Sequence, residues 1–121
     1  METGLWKFGD GTGKYSGKPN QPTETSIVNA TVKAVRKEYP NSVVVKIHGG
    51  GFQSAGIPDL YIAVDGEGLW VEMKRPGSDT TALQKRFLEK LWANSIPCGT
   101  ADNPEMVLAI LRQLLIRKSR A

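Results

Sequence analysis

Histidine and cysteine are nearly absent from this chain of 121 residues; there is one of each, His48 and Cys98. A single cysteine excludes an internal disulfide and fits a reducing compartment. One cysteine and one histidine are also too few for a Cys/His zinc site within one chain. No run of 18 apolar residues occurs, so no transmembrane helix is expected. The opening METGLWKFGDGTGKYSGK lacks the continuous apolar segment of a secretory signal, and a cytoplasmic location, in a bacterium or a phage-infected host, is the expectation. There is no internal repeat and no sign of a second domain. What remains is a chain with 40% hydrophobic residues, enough for one packed core, and a net charge of +4. That excess is a weak pointer to a polyanionic partner.

Residues 1–21 carry Gly4, Gly9, Gly11, Gly13 and Gly17 and are expected to form a flexible arm. Its Trp6, Phe8 and Tyr15 are candidates for packing across a partner. A single domain is expected over 22–118. Thr23 is a plausible cap for a first helix in which Val28, Val32, Val35 and Tyr39 recur at helical spacing. Ser42–Ile47 is a valine-rich strand, and Gly49-Gly50-Gly51 opens a loop. Ile57–Val64 and Leu69–Arg75 read as a hairpin around Asp65-Gly66-Glu67-Gly68. Thr80 or Thr81 caps a second helix with Leu83, Phe87, Leu88, Leu91 and Trp92 on one face. A short strand over Ile96–Ala101 follows. Asp102 or Asn103 caps a third helix beginning near Pro104, and the basic tail RKSRA is expected to fray. The order α-β-β-β-α-β-α predicts an α/β fold, a small mixed sheet flanked by helices.

The hairpin carries charge where a half-buried strand rarely does. Side chains alternate along a strand, so Asp59, Tyr61 and Ala63 share one face and Trp70, Glu72 and Lys74 share one face. With a turn centred on Gly66-Glu67, Val64 would pair with Leu69 and Asp59 with Lys74. Asp59 and Glu72 then become diagonal neighbours, roughly 7–8 Å apart at the backbone. Two such carboxylates and a backbone carbonyl, that of Met73, suit a hard cation such as Mg²⁺, and Lys74 would stand beside it. The plainer reading of the same residues is a cross-strand ion pair on a solvated face.

Pro58-Asp59, thirteen residues, then Glu72-Met73-Lys74 resembles the PD-(D/E)XK nuclease signature. More narrowly, GIPDLYIAVDGEGLWVEMKRPGSDTTALQKRFLEKL resembles the VRR-NUC (virus-type replication-repair nuclease) domain, with Gln84 as the glutamine of the following helix. The resemblance spans roughly residues 22–116. It implies a restriction-endonuclease-like core and a Mg²⁺- or Mn²⁺-dependent DNA endonuclease. It further implies a structure-selective enzyme, a homodimeric Holliday-junction resolvase, with Asp59, Glu72, Lys74 and Gln84 as catalytic residues. Glu24 matches a first-helix acid that reaches the metal beside Asp59, Glu72 and the Met73 carbonyl. Where relatives carry a glycine after the second helix, this chain has Asn94-Ser95-Ile96.

The secondary candidates each have a structural alternative. Glu24 shares the apolar stripe of its helix, yet an acid in a first turn also suits the helix dipole. Gln84 faces inward, yet Thr81-x-x-Gln84 is also a capping box. Ser54, in the loop after the glycine run, together with Lys33, Arg36, Lys37, Arg75 and Lys85, is assigned to the DNA backbone; each alone is an ordinary solvated charge or hydroxyl. No histidine is placed as a general base, which favours a lysine-assisted route. No DNA-reading motif is visible, so branched DNA is the expected substrate rather than a sequence-specific one. The alternative function is a catalytically silent or partner-dependent DNA-binding module.

Overall fold

The computed structural model describes residues 6–7, 22–47 and 56–120. Its elements are β1 (Trp6–Lys7), α1 (Glu24–Glu38), β2 (Val43–Lys46), β3 (Leu60–Val64), β4 (Glu67–Met73), α2 (Ala82–Ala93), β5 (Cys98–Ala101) and α3 (Pro104–Arg120). The predicted order is therefore preserved, with β1 added in front of it. That strand lies within the segment expected to be an irregular arm. It pairs in parallel with β5, Trp6 opposite Gly99 and Lys7 opposite Thr100.

The sheet order is β1-β5-β4-β3-β2, antiparallel from β2 to β4 and parallel from β4 to β1. Leu60, Ile62 and Val64 of β3, with Leu69, Val71 and Met73 of β4, are buried on one face. They pack against Ile27, Val32 and Val35 of α1 and against Val107, Ile110, Leu111 and Leu114 of α3. Thr31 enters this core without leaving a polar orphan, because its hydroxyl donates to the Ile27 carbonyl at 2.8 Å. The buried stripe of α1 is thus Ile27, Thr31, Val32 and Val35, and Val28 and Tyr39 lie at its margin. On the other face α2 covers the β5 side, anchored by Leu88 and by Cys98, whose thiol donates to the Leu88 carbonyl at 3.3 Å. Burial pushes that thiol up to about 11. Among the described residues no helix is long and apolar enough to cross a membrane.

The hairpin register differs from expectation by two residues. Val64 pairs with Glu67, Ile62 with Leu69 and Leu60 with Val71, around a two-residue Asp65-Gly66 turn. Asp65 at φ 51° and Gly66 at φ 84° give the paired positive angles of a type I′ turn, for which Asp-Gly is a favoured sequence. Asp59 therefore falls across from Glu72 and not from Lys74. A shift of two preserves every facing assignment, because the side-chain period is two.

Thr81 caps α2 and Asn103 caps α3, accepting from the Met106 N–H at 3.0 Å. The tail is not frayed: α3 stays helical to Arg120, and Lys118 Nζ donates to the Asp65 carbonyl at the hairpin tip. The end of α2 explains the missing glycine. Ile96 N–H reaches the Leu91 carbonyl and Ser95 N–H the Trp92 carbonyl, both at 2.9 Å, a Schellman closure that puts Ser95 at φ 60°. A left-handed serine costs about 1 kcal/mol, so Ser95→Gly is expected to raise the unfolding free energy by roughly that amount in urea titration.

Candidate active site

Pro58 is fully buried and holds φ at the residue before Asp59 within a narrow range. Asp59 then turns its carboxylate back on β4, and its Oδ2 accepts the Met73 N–H at 2.9 Å. This bond ties the start of β3 to the end of β4. It also places the Asp59 carboxylate beside that of Glu72, the cross-strand neighbour in the observed register.

Glu72 is 2% exposed. Its Oε1 accepts from Gln84 Nε2 at 3.1 Å, while Oε2 is buried and meets no donor among the described residues. Burial raises the Glu72 carboxyl first, and the adjacent Asp59 charge second, to about 9. Lys74 opposes the rise. A buried acid pair with an orphaned oxygen is unstable as two free anions; it calls for a proton or a cation.

Gln84 completes the capping box and also reaches the acid pair, on Glu72 rather than on Lys74. Its Oε1 accepts the Thr81 N–H at 2.8 Å, and its own N–H donates to Thr81 Oγ1 at 3.2 Å, completing the capping box. With the amide oxygen committed to the cap, the amide nitrogen is directed at Glu72. Glutamate would cap equally well but would bring a third carboxylate to this point.

Lys74 continues β4, its N–H bonded to the Ala101 carbonyl at 2.8 Å. Its ammonium lies 3.9 Å from Glu24, at the first residue of α1. Glu24 is half-exposed, at 46% of its side chain, yet it reaches this end of β4, where it pairs with Lys74 and adds to the negative charge that raises Glu72. Among the described residues no three acidic, histidine or cysteine side chains converge. Asp59 and Glu72 are therefore the adjacent pair, and Glu24 stands on the Lys74 side. The N-termini of α1 and α2 both open at this end of β4, and α3 starts just beyond Ala101, so the helix dipoles favour bound anions there.

The remaining candidates are spread out. Lys33, Arg36 and Lys37 are exposed on α1, with Arg36 and Lys37 in its last turn. At 1.5 Å per residue Lys33 lies roughly 14 Å, and Arg36 and Lys37 roughly 18–20 Å, along the helix from Glu24, so none of them stands at the acid pair. Arg75 follows Lys74 directly and is half-buried. Lys85 pairs with Asp79 at 3.6 Å near the start of α2. Ser54, His48 and the glycine run lie outside the described residues, as do Phe8 and Tyr15.

One contributor was not legible as such. Gly56 has φ +89°, and a Cβ there would stand 2.6 Å from the Leu83 carbonyl oxygen and 3.1 Å from Gln84 N. The glycine of the Gly-Ile-Pro-Asp motif lets the Asp59 loop lie directly on the first turn of α2. Its place in the motif was visible; the contact that requires it spans 27 residues and has no local signature.

The antiparallel-then-parallel sheet, the flanking helices and the acid pair at the end of β4 define a restriction-endonuclease-like α/β fold. More narrowly, the fold is that of a VRR-NUC domain. A solved structure described as a VRR_NUC domain is similar at a TM-score of 0.58 and 18% sequence identity, covering 75% of this chain and 97% of that chain. No protein-family model and no curated protein matches the sequence.

Proposed function

We propose that this chain is a metal-dependent DNA endonuclease acting on branched DNA, a four-way junction above all, as a homodimer. The observation that carries the nuclease reading is the buried Glu72 Oε2 without a donor, beside Asp59 and two residues before Lys74. An ion pair on a solvated sheet face would not be buried in this way, and Lys74 has Glu24 as its own counter-charge.

The residues fit a hard divalent cation, Mg²⁺ with Mn²⁺ as substitute. Asp59, Glu72 and the Met73 carbonyl are the oxygen donors that would hold it, with water completing the shell. Such a cation supplies charge neutralisation at a phosphate and a more acidic water. Lys74 orients the attacking water and balances the negative charge that grows on the phosphate oxygens. Gln84 holds the Glu72 carboxylate in place, and the converging helix N-termini favour the phosphate. Scattered cations such as Lys33 and Arg36 suit contacts with backbone and not with base edges.

The test is cleavage of a labelled immobile four-way junction beside a flap and a linear duplex, each with Mg²⁺, Mn²⁺ or EDTA. Paired nicks in the junction are expected with metal and absent in EDTA. Asp59→Ala and Lys74→Ala are each expected to lower the rate by about 100-fold or more. Metal-dependent cutting of the flap alone would retain the site and remove the junction preference. Binding of the junction without any cutting would turn the assignment to a DNA-binding module.

A further inference from the structure

We propose that Tyr61 and Trp70 form a stacking platform for a base adjacent to the scissile phosphate that is unpaired, as in a flap, or released from its pair at a branch point; this rests on the nuclease reading above. Tyr61 lies two residues beyond Asp59 on β3, and Trp70 two residues before Glu72 on β4. They are cross-strand partners on the sheet face that carries the acid pair, one row of side chains behind it. At about 3.4 Å per residue the two rows are roughly 7 Å apart.

The rings form a short ladder. Tyr61 and Trp70 have centroids 5.0 Å apart, and Trp70 and Phe87 6.4 Å, with interplanar angles of 58° and 59°. Gly68 makes room for the first of these rings: a Cβ there would collide with Tyr61 Oη and stand 3.1 Å from its Cζ. The tyrosine therefore reaches across β4 over a position with no side chain. Both Tyr61 and Trp70 keep part of their surface in solvent. Val45, the β2 partner of Tyr61 on the same face, is 42% exposed, and α2 packs chiefly on the β5 side of this face.

Continuity with the acid pair identifies the occupant. A strand whose phosphate lies at Asp59 and Glu72 carries its neighbouring nucleotide across the next row of the sheet. A paired base stays within its own duplex stack, whereas an unpaired base can lie on the aromatic row. Stacking on an aromatic ring has no sequence preference, so the platform would select for DNA structure and not for sequence.

The experiment measures binding of a flapped duplex by fluorescence anisotropy in EDTA, with an abasic residue moved through each unpaired position. Wild type is expected to lose affinity about ten-fold at one position next to the cut and little elsewhere. Tyr61→Leu is expected to be insensitive to that abasic residue, Tyr61→Phe to retain the sensitivity, and Gly68→Ala, which displaces the ring without removing it, to lose it. Cleavage by wild type with Mg²⁺ is run in parallel. Cutting with no base-dependent binding would overturn the platform and leave the nuclease intact. Base-dependent binding abolished by Tyr61→Leu, with no cutting of any substrate, would keep the platform and remove the nuclease. If Tyr61→Leu dissociates a dimer in light scattering and wild type shows no abasic effect, this face belongs to a second copy of the chain and the platform is overturned.

Discussion

Glu72→Gln is expected to make the metal-free protein more stable and to abolish cleavage. In the folded chain the Glu72 carboxyl is held at about 9 against an ordinary value of 4.5. The folded state therefore keeps a proton that the unfolded state has released. The favourable contribution is complete below about pH 4.5 and is lost progressively as the pH rises toward 9, at up to about 1.4 kcal/mol per pH unit. Glutamine has the same shape, still accepts from Gln84, and presents an amide N–H where Oε2 now has no partner. At pH 8 without metal the variant is expected to melt higher by roughly 10 °C, from a gain of a few kcal/mol. Its stability should be nearly flat over pH 5–9, where that of the wild type falls. Saturating Mn²⁺ should raise the wild-type melting temperature and leave the variant unmoved. Thermal melts in EDTA and in Mn²⁺ across this range test all three expectations. A wild-type melting temperature that rises from pH 5 to 8 in EDTA would remove the strained acid pair.

Gly56→Ala is expected to impair both stability and cleavage, although it alters no charged residue. The methyl group meets the Leu83 carbonyl carbon and oxygen at 2.7 and 2.6 Å, and φ is +89°. Neither obstacle is a flexible side chain. Either the Asp59 loop moves off α2, or the first turn of α2 moves and takes Gln84 with it. Each movement separates groups that now bond across about 3 Å. A loss of about 2–4 kcal/mol in stability is expected, and about 100-fold or more in single-turnover cleavage. Gly66→Ala is the control. Gly66 also has positive φ, but it lies at the exposed hairpin tip, where the neighbour is the end of the Lys118 side chain. Strain there is expected to cost about 1 kcal/mol and to leave the cleavage rate unchanged.

The hairpin shows how far sequence reading extends. Alternation assigned Asp59, Glu72 and Lys74 to one face and Leu60, Ile62, Leu69 and Val71 to the other, as observed. The expected pairing takes Asp65–Gly68 as the turn, whereas the chain reverses over Asp65-Gly66 alone and pairs Val64 with Glu67. The error did no harm to the site only because the register moved by two; a slip of one would have turned Glu72 into the core of α1 and α3. Glu24 shows the opposite case. Helical periodicity places it on the inward stripe; its carboxylate is half-exposed, and what it meets there is Lys74, from the end of β4. Lys33, Arg36 and Lys37 are assigned to the DNA backbone by charge alone, and charge carries no information on distance: the last two lie at the far end of α1 from Glu24.

Local rules of spacing, capping and alternation determined the elements, their apolar faces and the identity of the acid–acid–lysine set. These are short-range properties, set by the two-residue period of a strand, the 3.6-residue period of a helix and the first-turn hydrogen bonds. Only the tertiary structure decided that Glu72 is buried with an orphaned oxygen, that Gln84 caps α2 and holds Glu72 with one amide, and that Gly56 lies against α2. Each of these depends on where separate elements come to rest against one another, and the free energies involved arise from desolvation and close packing across the sheet, which no local window of residues contains.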